Sequence, residues 1–148
     1  MMRRIFSLLL LLFLLNAVSF GQIREVPEAV QEAFDHQYPD ADSVKYEDNF
    51  VSVQVHFTLN GERMKASYTN KGRWKETEKV WNFEQLPADV KDGFDKSKYA
   101  DWQISETKIV YRPDGVERYR VKVGKNDLQK KYLFFNKTGR LVEELITI

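Results

Sequence analysis

His36 and His56 are the two histidines of the 148-residue chain, and it contains no cysteine. Those counts bound the chemistry at once. Without cysteine there is no thiolate nucleophile, no disulfide and no Cys-ligated metal, and a zinc site of three or four ligands finds neither histidine in an H-E-x-x-H helix. His36 falls near the end of an amphipathic segment, where a cation complements the helix dipole. His56 lies on the polar side of an alternating run, between Gln54 and Thr58, and is the first candidate for acid–base work if a carboxylate stands beside it. Asp40, Asp42, Glu47 and Asp48 could draw a hard cation, but the stretch lacks the glycine-pivoted spacing of an EF-hand and reads as a solvated loop and strand edge. The sequence has no G-x-S-x-G elbow and no glycine-rich phosphate loop. Glu143 and Glu144 are neighbours in an extended run, so they point to opposite faces and cannot flank one bond.

The most suggestive constellation is cationic. If Tyr119, Val121 and Val123 turn toward a core, then Arg118, Arg120 and Lys122 line the other side of the same strand, with Lys131 expected beside them on the next. Arg63 and Lys65 form a shorter row in the first half, near His56. A row of like charge costs stability unless it is solvated or set against an anionic partner. Aromatic residues complicate the picture, because Phe134 and Phe135 are adjacent in a strand and one of them must face outward, either as an anchor for a partner or covered where the two halves meet. His56, Arg63, Lys65, Arg118, Arg120, Lys122 and Lys131 are therefore the expected partner-binding face.

Those residues need a scaffold. A composition of 43% apolar and 30% charged residues excludes a disordered tail and suits one domain-sized body. The apolar stretch from Ile5 to Leu15 follows Arg3 and Arg4 and is too short for the ~20 residues of a membrane-spanning helix, so it reads as a signal peptide. Ser19 and Gly21 place cleavage before Gln22, which predicts a periplasmic or secreted protein with no membrane span in its mature part. Losing Arg3 and Arg4 moves the formal charge from +1 to −1, which argues against nucleic acid as a partner.

The mature chain starts over once. Val26-Pro27-x-x-Val30-x-x-x-Phe34-Asp35 returns as Leu86-Pro87-x-x-Val90-x-x-x-Phe94-Asp95, and Tyr68-Thr69-Asn70-Lys71-Gly72-Arg73 aligns with the segment Phe134 to Arg140 if one residue is inserted. This divides the chain into a leader (1–21) and two repeats (22–81 and 82–148) that form one compact unit. Each repeat opens with a proline suited to the first helical turn and an amphipathic helix. The period then switches to two. Val51, Val53, Val55, Phe57 and Leu59 share one side of a strand, and Asn60-Gly61 predicts a tight hairpin. The first repeat reads as strands over 43–48, 50–59, 62–69 and 73–81, and the second as strands over 103–112, 116–123, 128–136 and 140–148. Connections this short exclude parallel crossovers. The predicted fold is α+β, two tandem helix-plus-four-strand repeats in one antiparallel sheet with both helices on one face. Lysine and glutamate on the edge strands favour a monomer or weak dimer.

A cysteine-free leader followed by two Val/Leu-Pro-x-x-Val-x-x-x-Phe helices, each trailed by strands closing at Asn-Lys-(x)-Gly-Arg, resembles the PepSY-like proteins described as beta-lactamase-inhibitor-like, over nearly all of residues 26–144. The resemblance implies export to the periplasm of a Gram-negative bacterium and carries no catalytic signature. It leaves Pro27, Val30, Phe34, Gly72, Pro87, Val90, Phe94 and Gly139 as structural positions. The resulting expectation is a non-enzymatic module, without a cofactor, that engages a protein or peptide of the cell envelope through the bare sheet face. The rival is a small-ligand carrier or an enzyme using a pocket between helices and sheet or at the seam between repeats. The resemblance also implies a third role, an envelope module that modulates a peptidase.

Overall fold

The computed structural model of the chain describes residues 25–147, so the leader assigned to residues 1–21 and its cleavage point lie outside the described residues. Helix α1 spans Glu28–Gln37 and helix α2 spans Ala88–Asp95. Pro27 and Pro87 stand one position before the helices, with φ near −50° and extended ψ, and the carbonyl of each accepts the first helical N–H, from Val30 at 2.9 Å and from Val90 at 3.0 Å. Proline therefore sets the angle of entry from outside the first turn. Val30, Phe34, Val90 and Phe94 are the buried stripe of each helix.

The strands are β1 (Asp42–Asp48), β2 (Ser52–Leu59), β3 (Glu62–Thr69), β4 (Trp74–Trp81), β5 (Gln103–Tyr111), β6 (Glu117–Gly124), β7 (Lys130–Phe135) and β8 (Leu141–Thr147), joined in chain order into one eight-stranded antiparallel sheet. Asn60 and Gly61 both have positive φ, as a two-residue hairpin requires. One sequence expectation fails here. Val51 is not part of the buried stripe of β2 but stands 82% exposed in the preceding turn, where Phe50 takes a φ of 63° and the stripe begins only at Val53.

Register assigns the faces. Val55 pairs with Ala66, Ala66 with Thr77 and Thr77 with Tyr111, so the buried sides of β2, β3, β4 and β5 are continuous. On that side α1 packs against Val53, Val55, Phe57, Ala66 and Tyr68, while α2 packs against Ile109, Tyr119, Val121, Val123, Leu133 and Phe135. Both helices lie on one face, and the other face is left uncovered by helices.

The repeat extends to hydrogen bonds. Gly72 N–H donates to Thr69 and Thr69 N–H to Arg73, and Gly139 N–H donates to Asn136 and Asn136 N–H to Arg140 in the same way. Thr69 therefore corresponds to Asn136, and Tyr68 to Phe135. The one-residue insertion suggested by matching Asn70 to Asn136 is absent, because the turn geometry, not residue identity, sets the alignment. The register shift at Ser67/Tyr68 recurs at Phe134/Phe135, and that at Asp42/Lys45 recurs at Ile104/Glu106. The two closing glycines do the same job. A Cβ on Gly72 would lie 2.2 Å from the carbonyl oxygen of Ala29, and one on Gly139 would lie 1.9 Å from that of Asp89, so each turn docks its backbone onto the first turn of its helix.

Candidate functional site

The bare face presents the alternate residues of all eight strands. Across its middle run Lys45, His56, Lys65, Glu78, Val110 and Arg118, linked pair by pair through the sheet register. The next row out carries Val80, Lys108, Arg120, Phe134 and Glu143. Antiparallel alternation puts these side chains together while their sequence neighbours fill the core.

Glu78 is the hub. Its side chain is only 5% exposed and is shared by three cations: Arg120 Nη1 donates to Oε1 at 2.5 Å, while Lys108 Nζ and Lys65 Nζ reach Oε2 at 3.0 and 3.3 Å. Arg120 and Lys108 also hold Glu106, at 3.1 and 3.2 Å. Burial alone would push the Glu78 carboxyl up, but the charges of Arg120 and Lys65 and the hydrogen bond from Lys108 outweigh it and hold the group down at about 2. Burial would push Arg120 down, but the carboxylates of Glu78 and Glu106 outweigh it and raise the group, so it stays charged. Arg120 also stacks its guanidinium 4.6 Å from the Tyr132 ring.

This arrangement revises the expected basic row. Arg120 is a buried member of a five-residue ion network rather than a free cation, and Arg118 is held by Asp114 with contacts of 2.6 and 3.2 Å. Lys122 remains, over the Tyr132 ring at 5.4 Å. Lys131 is on the other face altogether. It pairs with Val123, two residues before the core residue Leu133, and its ammonium donates to the Tyr99 hydroxyl at 2.9 Å and to Glu144 at 3.3 Å. Of the two adjacent rings, Phe135 enters the α2 core and Phe134 faces outward. Phe134 is nevertheless only 3% exposed, because Arg112 lies 5.2 Å over it while bridging Glu76 and Glu143. It is a covered ring and not an anchor.

In the first repeat the expected residues do converge. His56, Arg63 and Lys65 line one hollow of about 320 Å³ together with Glu78, Val80 and Lys108. His56 Nε2 lies 3.3 Å from Glu47 Oε2, with both side chains about half exposed, so the carboxylate sought for acid–base work is present as a solvated surface pair. Its strand partners on both sides are lysines, Lys45 and Lys65. Among the described residues no group of three or more His, Asp or Glu side chains could hold a metal ion.

Sequence reasoning missed Glu78, Lys108, Glu106 and Arg112. Alternation alone would have placed Glu78 and Lys108 outward, since Thr77 and Thr107 are buried next to them. That Glu78 meets Arg120 depends on β4 pairing with β5 across the intervening helix, which no local pattern reveals.

The family model for PepSY-like proteins, described as beta-lactamase-inhibitor-like, matches residues 17–56 and 51–143. Among solved structures, a DUF2874 family protein from Bacteroides ovatus is 25% identical with a TM-score of 0.73, over 83% of this chain and 89% of that one. A BLIP-like protein from Bacteroides fragilis is 24% identical with a TM-score of 0.74, over 85% of this chain and 89% of that one. A Bacteroides eggerthii structure named as a "putative periplasmic" protein is 22% identical with a TM-score of 0.70, over 83% and 90% of the two chains. No curated protein matches. Among the described residues no helix is long and apolar enough to cross a membrane.

Proposed function

Because the chain belongs to the PepSY-like, beta-lactamase-inhibitor-like family, we propose that it is an exported periplasmic module that performs no chemistry and binds a protein or peptide across the bare face of its sheet. The observation that carries this reading is the state of that face. Its central charges are tied into a network of ion pairs that restrains their side chains, while Val80, 52% exposed, stands beside the network among Arg63, Lys65, Glu78 and Lys108. A rigid surface with few rotamers left to freeze loses less entropy on binding.

Site-specific photocrosslinking tests it. A benzophenone side chain at position 80 should give a discrete adduct in the periplasm of producing cells, and the same probe at Asp92, exposed on α2, should not. Equal labelling from both positions, or none from either, would refute the assignment to the bare face.

A further inference from the structure

Resting on that reading, we infer that the partner delivers a carboxylate, from an acidic side chain, into the hollow between His56, Arg63, Lys65 and Lys108. Donor counting leads there. An ammonium has three N–H groups, yet Lys65 makes one ion pair, to Glu78, and Lys108 makes two, to Glu78 and Glu106. Arg63 is exposed at the rim and pairs with no carboxylate among the described residues. Glu78 cannot quench these donors, because its two oxygens already serve Arg120, Lys65 and Lys108. Around the hollow the four cations Arg63, Lys65, Lys108 and Arg120 outnumber the three carboxylates Glu47, Glu78 and Glu106, so it carries a positive surplus.

The same contacts hold the donors in place. Lys65 and Lys108 are 25% and 17% exposed, their stems packed and their heads already oriented by Glu78, so an incoming anion need not order them. Val80, paired with Lys108 in the adjoining strand, offers its exposed methyls to the methylenes of an acidic side chain. The surplus is a single positive charge, so one carboxylate neutralises the hollow while a dianion would leave it net negative. That favours an acidic protein segment over a phosphorylated ligand.

The test is amide chemical-shift mapping on the mature chain with a capped hexaglutamate peptide, a capped hexaglutamine peptide and inorganic phosphate as probes. Saturable shifts are expected from hexaglutamate, centred on Arg63, Lys65, Val80 and Lys108, and absent from hexaglutamine. Arg63→Glu should weaken the affinity at least about tenfold, and its spectrum reports whether the fold is intact. Shifts centred elsewhere, equal shifts from hexaglutamine, tighter binding of phosphate, or indifference to Arg63→Glu would overturn the inference. If hexaglutamate fails while the position-80 probe still crosslinks, only the acidic chemistry is wrong. Failure of both removes the docking face itself.

Discussion

At matched positions the two repeats build the same backbone and finish its bare face in opposite ways. Pairing register makes Gln54 the counterpart of Arg120, His56 of Lys122, Lys65 of Tyr132, Ser67 of Phe134 and Glu78 of Leu145. In the second repeat, Arg112 and Arg120 lie over the rings of Phe134 and Tyr132, and both Phe134 and Val110 are buried on a side no helix covers. In the first, His56, Arg63 and Lys65 stand around a hollow whose lysines keep N–H donors beyond their ion pairs. One copy thus closes its bare face with roofed rings, while the other, on the reading proposed above, keeps a hollow open over an ion network that both copies build. The second copy even lends Arg120 and Lys108 across the seam to fix the floor of the first copy's hollow, through contacts 30 and 42 residues apart in the chain.

The largest effect should come from the hub. Glu78→Gln leaves three cations around a neutral amide and should cost ~3–5 kcal/mol in denaturant unfolding, while Leu145→Gln at the matched, 44% exposed position should stay within ~0.5 kcal/mol. A pH series sharpens the contrast. Glu78 has a folded value of about 2 against an ordinary 4.5, so its contribution, on the order of 3 kcal/mol, is complete above pH ~4.5 and is lost as pH falls toward 2. Glu78→Gln should flatten that part of the stability profile. An unchanged profile would mean that the network does not hold the seam.

Next in size is Phe134→Ala, expected to cost ~3 kcal/mol or more as a core-like truncation, against a change within ~0.5 kcal/mol for Ser67→Ala at the matched place. A small loss at Phe134 would restore it as an exposed anchor and erase the difference between the copies. Gly72→Ala and Gly139→Ala test what the copies share. Each adds a Cβ at positive φ and onto a helix carbonyl, so each should destabilise by more than ~1 kcal/mol and by similar amounts. Strongly unequal losses would break the equivalence of the turns.

Much of this was legible in the residues. The Pro-x-x-Val-x-x-x-Phe echo located both helices, and the period-two stripes located the strands and put both helices on one side, because those signals are local. Lys131 shows where parity was readable but not applied, since it was expected on the bare face beside Arg118, Arg120 and Lys122 and lies on the other. Two positions from Leu133 and four from Phe135, it must share their face, and the placement turned on which phenylalanine entered the core. The pairing of Tyr119 with Phe135 settles that. Arg120 shows a different limit. Its place on the bare face was visible, but its burial was not, since Glu78 reaches it only after β4 and β5 pair across a helix and two loops.

The smallest expected change in stability belongs to the residue with the largest expected role in recognition. Arg63 and Arg120 share one face, one charge and one side-chain type, yet Arg63 is exposed at the rim of the hollow and Arg120 is 9% exposed beneath it. Reversing Arg120 to Glu places a third carboxylate against Glu78 and Glu106 and should unfold the protein or cost several kcal/mol. Reversing Arg63 removes no ion pair within the described residues and should shift stability by no more than ~0.5 kcal/mol. Thermal melts of the two variants side by side measure the gap, and if Arg63→Glu were as damaging as Arg120→Glu, the cation at the rim would be part of the scaffold and no longer free for an incoming carboxylate.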